Sequence, residues 1–361
     1  MDVTPTESKP GQGNQPPLGE NFSGSHHLIP RKCIFPFILL ASCFMWWGIA
    51  NNMTDPLVKV FMSIFPELSA FQSSLIQFAF YGGYFCLAIP GALIARKFSY
   101  KTGVLVGLGM YGGGCLLLIP ASLSLTFSSF LIAFWVLAAG LSVLETNANP
   151  YVLSLGSPES ATRRLNLAQA FNPLGSVVGV LLAGMLIMDR LEPWKNPSAE
   201  AARNAFVIPK ADQPETLAIV IFPYLVIAMV LAIVWLLILL TRMPKAAESD
   251  HKLHFLEISG RLLRNPNYVF AVVAQFFYVG AQITVWTYTN FYIPDQVAWV
   301  TESEVLLNWH IWALVSFGIS RFVFTGLMTF FKDHNLLAFA AVAAAFLNVL
   351  VVFVGGVVGS V

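Results

Sequence analysis

The sequence predicts an all-α membrane protein, a set of hydrophobic helices threaded repeatedly through a bilayer, and three observations carry that prediction. Hydrophobic residues make up 57% of the 361 and charged residues only 11%, against about 45–50% and about 25% in soluble domains. Apolar stretches long enough to cross a hydrocarbon core of about 30 Å recur along the chain. These stretches do not alternate in polarity: Leu225 to Leu240 is apolar on every face. A barrel strand needs a two-residue period, so helices remain as the structures that satisfy their own backbone in lipid.

The elements follow in order. Residues 1–29 are rich in Pro, Gly, Ser, Asn and Glu and lack an apolar core, which predicts a disordered tail rather than a cleavable signal peptide. Spans are predicted at 34–53, 72–95, 102–121, 126–149, 165–188 and 217–241, forming an amino-terminal six-helix bundle over 30–241. A polar, basic segment, 242–266, reads as a cytoplasmic linker and domain boundary. Three further spans, 267–293, 305–331 and 335–355, make a partial second bundle over 267–361. Residues 189–216, with Pro193, Pro197, Pro209 and Pro214, form the long external loop. Glycines at 103, 107, 109, 112, 113 and 114, and at 175, 179 and 184, are expected to let helices approach closely.

Orientation comes from the basic residues of the loops. Lys9, Arg31 and Lys32, then Arg96, Lys97 and Lys101, then Arg163 and Arg164, fall on one side. Arg242, Lys245, Lys252, Arg261, Arg264 and Lys332 join them, against Lys59, Arg190, Lys195, Arg203 and Lys210 opposite. This places the amino terminus in the cytoplasm of a multi-pass protein of the cell inner (plasma) membrane. The near balance of 20 Lys plus Arg and 19 Asp plus Glu leaves no basic face for nucleic acid. Cys33, Cys43, Cys86 and Cys115 lie in or beside apolar segments without a CxxC or a His pair, so neither a metal nor another cofactor is expected.

Some polar residues contradict their surroundings. A carboxylate at the bilayer centre costs about 2.5–3.5 kcal/mol on insertion scales, which makes it a functional candidate. Asp55 closes the run Asn51-Asn52-Met53-Thr54-Asp55-Pro56, and Glu145 opens Glu145-Thr146-Asn147-Ala148-Asn149-Pro150. Asn52 and Asn149 share a helical face with their acids. Pro56 and Pro150 lack the amide proton that would bond the carbonyls of Asn52 and Thr146, leaving two acceptors for a hydroxyl or water. Asp55 also reads as an interfacial acid near a helix end.

Polar stripes recur at helical spacing: Gln77, Tyr81 and Tyr84 on span two; Asn166, Gln169 and Asn172 on span five; Gln275, Tyr278, Gln282 and Trp286 on span seven. Each residue alone reads equally as interhelical glue. Together with two acids they predict a wet cavity suited to a neutral polyol, because amides donate and accept and aromatic rings stack on CH faces. Arg321 reads as a structural cation or as an anion anchor.

These residues also carry a resemblance. With Leu75-Ile76-Gln77-Phe78-Ala79-Phe80-Tyr81-Gly82-Gly83-Tyr84-Phe85, Ser99-Tyr100-Lys101, Arg164-Leu165-Asn166-Leu167-Ala168-Gln169 and Tyr278-Val279-Gly280-Ala281-Gln282 added to the two acidic runs, the chain from Ile34 to its end resembles the fucose:proton symporter family of the major facilitator superfamily. The resemblance implies twelve helices in two bundles, sugar bound between them at mid-membrane, and protons driving uptake. It implies that Asp55 and Glu145 are the protonation sites, with Glu145 near the sugar and Asp55 nearer the periplasm. Gln169, Asn172, Tyr278 and Gln282 match cavity-lining positions. Ala95 stands where the superfamily loop motif commonly has aspartate. The chain reads as this fold truncated to about nine of twelve helices, an incomplete sequence or a truncated product.

The expected function is proton-coupled symport of a neutral monosaccharide, L-fucose by the resemblance, in a monomer that is not an enzyme. Uptake of glucose, galactose or another hexose is the alternative. A membrane-embedded transferase is a distant third, since none of the six histidines pairs with an acid at one interface.

Overall fold

The structure, a computed structural model, describes residues 28–54, 57–65, 67, 70–194, 208–244, 255–296, 309 and 311–354. Among these residues it is almost wholly helical. The amino-terminal stretch comprises α1 (Ile34–Thr54), α2 (Leu57–Ile64), α3 (Ala70–Lys97), α4 (Tyr100–Ser124), α5 (Phe127–Ser154), α6 (Ala161–Gln169), α7 (Phe171–Ala183) and α8 (Gln213–Leu240). Beyond it lie α9 (Phe255–Leu263), α10 (Pro266–Gln296), α11 (Ile311–Leu327) and α12 (Asp333–Val354). Within the described residues each predicted span coincides with a helix or a pair of helices; most of the start of 305–331, before Ile311, lies outside them. The predicted linker contains α9, a short helix the sequence reading left out. Asp55 and Pro56 lie outside the described residues, as does most of the tail at 1–29.

Seven of the helical segments are long and apolar enough to cross a membrane by length and composition. α11 is a shorter apolar helix of 17 residues. Large apolar side chains such as Phe71, Phe78, Phe85 and Leu123 face outward, which is the surface lipid requires and water would penalise.

Span five is one path built from two helices. Pro173 cannot donate to the Gln169 carbonyl, so the helix is interrupted at Ala170 and resumes as α7. It then ends in a π turn, Gly184–Met188, in which the Asp189 amide reaches the Gly184 carbonyl at 2.9 Å.

Close approach between helices rests on particular glycines. A Cβ on Gly107 would lie 2.5 Å from the Leu144 backbone nitrogen, and one on Gly114 would run into the backbone of Leu137. α4 and α5 thus pack backbone against backbone along the face carrying Gly103, Gly107 and Gly114. Gly112 and Gly113 share their stretch of sequence but not that face, and a Cβ on Gly113 meets nothing within 4 Å. Gly175 and Gly179 do the same work against Met45 and Ile49 of α1, while Gly184 does not.

Two clamps finish the end at which α4 begins and α5 stops. Arg164 is fully buried, and its Nε donates to the Val152 carbonyl at 2.8 Å while its terminal nitrogens reach Leu153, Leu28 and Ser160 Oγ. A cation set on the last carbonyls of α5 suits the negative end of that helix. Lys101 Nζ donates to the Leu239 and Thr241 carbonyls at 2.9 and 2.8 Å, and Tyr151 Oη donates to the Pro244 carbonyl at 3.0 Å. Tyr100 stacks on Tyr151, so α4 and α5 together hold the exit of α8.

Substitution of Gly114 by Val should lower stability by about 1–3 kcal/mol, the usual range for overpacking a filled interface, whereas Gly113→Val should leave it nearly unchanged. Thermal unfolding of the two variants in detergent checks this; equal losses would refute the assignment of the packed face.

Candidate functional site

Glu145 sits in the middle of α5, half-buried, and faces a crevice walled by Cys43, Phe44 and Trp47 of α1 and by Leu141, Leu144 and Ala148 of its own helix. The crevice is small and open to one side.

A line of hydrogen bonds starts one turn from the acid. The Asn149 side chain lies one turn further along α5. Its Oδ1 accepts from Gln169 Nε2 of α6 at 2.9 Å. Gln169 Oε1 in turn accepts from a terminal nitrogen of Arg321 on α11 at 3.0 Å. Alongside, Asn166 Nδ2 donates to Thr325 Oγ1 at 2.6 Å and to the Arg321 carbonyl at 3.3 Å. Pro150 lies inside an unbroken α5, so the Thr146 carbonyl next to this line has no amide four residues on.

The remaining predicted residues are placed less uniformly. Asn172 Nδ2 donates to the Phe44 carbonyl of α1 at 3.4 Å, a packing contact on the same helix path as Gln169. Asn52 is buried and its amide turns back to the Gly48 carbonyl of its own helix at 3.0 Å. Gln77 is half-buried on α3, and Tyr81, 50% exposed, sets its ring edge-on to Phe80. On α10, Gln275 and Tyr278 are exposed and Gln282 half-buried. The structure therefore joins Asn149, Gln169 and Arg321 one turn from Glu145; it does not place Asn52, Gln77, Tyr81, Gln275, Tyr278 or Gln282 in the crevice wall.

Two residues of this region escaped sequence reasoning. Trp47 lines the crevice, and its indole N–H donates to the Tyr84 hydroxyl. Tyr84 stands near enough to Glu145 to feel its charge, and Ser142 of α5 donates to its carbonyl at 2.8 Å. A Trp pair in mid-span was the available signal, since an indole N–H in lipid needs an acceptor. The other is the role of Arg321 as the far end of the hydrogen-bonded line.

Comparison with known proteins agrees with this architecture. The family model described as Major Facilitator Superfamily matches residues 36–361. The L-fucose-proton symporter of Haemophilus influenzae is 39% identical over 340 residues, covering 92% of this chain and 78% of that protein. The glucose/galactose transporter of Brucella abortus is 32% identical over 324 residues, covering 89% and 74%. The crystal structure of the Escherichia coli fucose:proton symporter superposes with a TM-score of 0.77 at 36% identity, covering 91% of this chain and 80% of that one.

The Trp47–Tyr84 bond should behave as a coupled pair. Tyr84→Phe strips the indole of its acceptor and should destabilise the protein by about 1–3 kcal/mol, and adding Trp47→Phe should cost less than the sum of the single changes. A double-mutant cycle on detergent-solubilised protein measures it; strict additivity would disprove the bond.

Proposed function

The chain belongs to the Major Facilitator Superfamily, and we propose that it carries a neutral monosaccharide, L-fucose, into the cell together with protons. The observation that carries this reading is the pairing of one intramembrane acid with a run of amides. Glu145 supplies a group able to gain and lose a proton. Asn149 and Gln169 supply donors and acceptors spaced for sugar hydroxyls. The relatives are named as L-fucose-proton symporters and as glucose/galactose transporters, which supports a transporter over a membrane-embedded transferase and keeps hexoses as the second substrate reading.

In this reading transport proceeds by alternating access, with two bundles rocking about a midplane site. The amino-terminal bundle is 30–241, the linker 242–266 and the second bundle 267–361. The protein is a monomer of the inner membrane with its amino terminus in the cytoplasm. The sugar rests against Trp47 and the amide line, and the wall opposite comes from α10, where Tyr278, Gln282 and Gln275 extend the polar stripe. Asn52, Gln77, Tyr81 and Asn172 stand around this centre and contribute in other stages of the cycle. Asp55, in a polar run that ends at a proline, takes protons from the external side and Glu145 holds them beside the sugar.

The two acids should separate in assay. Asp55→Asn should stop accumulation driven by a pH step while leaving sugar counterflow and binding largely intact, because exchange moves no net proton. Glu145→Gln should abolish pH-driven uptake and also alter binding. Proteoliposomes loaded with radiolabelled fucose, glucose or galactose test both points and identify the sugar; pH-driven accumulation by Glu145→Gln would defeat the assignment.

The amides should set affinity without carrying the proton. Gln169→Ala, Asn172→Ala and Gln282→Ala should each weaken sugar binding by up to roughly tenfold, the value of one neutral hydrogen bond. Binding measured by calorimetry at unchanged affinity would assign that residue to helix packing.

A further inference from the structure

The junction between α9 and α10 leaves no slack. Pro266 cannot extend α9, because its ring disfavours helical backbone at Asn265 and it has no amide hydrogen to give. Asn265 is the turning point: its amide donates to the Leu262 carbonyl at 3.0 Å, closing α9, and its carbonyl accepts from the Val269 amide at 3.1 Å, opening α10. Its Oδ1 accepts from the Asn267 amide at 3.1 Å, which satisfies one of the free amides at a helix start. α9 therefore ends within a few residues of the point where α10 enters the bilayer. Tyr268, in the first turn of α10 and 41% exposed, is the kind of ring that sits at headgroup level.

α9 has the pattern of a helix that lies on such a surface. At 3.6 residues per turn its nine residues put Phe255, Leu256, Ile258, Leu262 and Leu263 within an arc of about 160°, with Ser259 the polar member among them. Glu257, Gly260, Arg261 and the following Arg264 fall on the opposite side. Of the apolar arc, Leu262 and Leu263 stand open, 38% and 69% exposed. The helix that α9 packs against is α10, and a Cβ on Gly260 would meet nothing within 4 Å. Charge is lopsided as well: Arg261 and Arg264 are both exposed, and the first turn of α10 has no acid.

We propose that α9 is an interfacial helix that docks on anionic lipid, its apolar side sunk into the boundary between headgroups and acyl chains and Arg261 and Arg264 set on phosphates. On the orientation proposed above this is the cytoplasmic leaflet. Lipid is the occupant for two reasons. The open leucines continue through Tyr268 and Phe270 into the exposed apolar side chains of α10, and a guanidinium pairs with phosphate oxygens through parallel hydrogen bonds while its long stem lies along apolar surface. The segment that joins the two halves is then fastened at both ends, by Lys101 and Tyr151 where it starts and by the membrane where it finishes.

The test puts a nitroxide label on Leu263→Cys and, for the polar side, on Gly260→Cys. Both are made in the whole chain carrying Cys86→Ser, because Cys86 is the exposed cysteine and the other three are buried. In nanodiscs of phosphatidylcholine, with and without phosphatidylglycerol, electron resonance reads collisions with oxygen, which dissolves in lipid, and with a water-soluble nickel chelate. In the anionic bilayer the Leu263 label should meet oxygen and avoid nickel, and the Gly260 label should do the reverse. Arg261→Gln and Arg264→Gln should each lower the docked-to-free ratio of the Leu263 label by roughly fivefold. Lysine at both positions should keep most of the docking, and added salt should weaken it. A Leu263 label as open to nickel as the Gly260 label overturns the proposal. So does a label shielded from oxygen and nickel alike, which means that protein covers the face, either another part of the chain or a second copy. Equal docking in both lipids, unmoved by the glutamine changes, overturns it too, because anionic headgroups then play no part.

Discussion

Every polar group placed in lipid must find its partner inside the protein, and that constraint organises this molecule. Hydroxyls turn back on their own helix, as Thr54 does to Ala50 and Ser42 to Leu39. Aromatic handles cross to the next helix: Tyr111 to the Trp46 carbonyl, Trp235 to Leu105, Trp47 to Tyr84. Arg164 is absorbed by helix-end carbonyls. Among the described residues only two buried side-chain atoms, Asn147 Oδ1 and Arg163 Nε, have no hydrogen-bond partner. Glycines on one face of α4 let these bonds form at short range by allowing the backbones to meet.

Against that background the Glu145 region differs in kind. Elsewhere a polar group is satisfied once and for all by a neutral partner. Here two amides and a cation are joined in series one turn from an acid, and each bond depends on the state of its neighbour. Side-chain amides suit this position because they can be turned end for end at little steric cost, whereas a backbone carbonyl cannot.

Much of this was legible in the sequence. Hydropathy and length located the long helices because lipid imposes them locally, though not the short α2 and α9, and an acid such as Glu145 stands out where the surroundings are apolar. Asn149 and Gln169 were legible too, by helical spacing from that acid and by an amide stripe. What spacing could not supply was contact across the fold. Gln169 and Arg321 are 152 residues apart in sequence, and nothing in the pattern around Arg321 says which amide it will meet, so a packing role was the better guess. Gly113 and Gly114 are adjacent and look alike, yet only the second faces α5, a distinction that requires knowing the rotation of α4. Asn52 shows the converse: its spacing suggested a cavity, but the amide found a carbonyl in its own helix.

The grip of Lys101 and Tyr151 on the end of α8 has a mechanical consequence. A connector whose root frays gives slack, and motion of what it carries is then poorly registered with the body it leaves. Here the root is held at residues 239, 241 and 244 by two different helices. Whatever follows therefore starts from a point fixed to α4 and α5 and not from a fraying helix end.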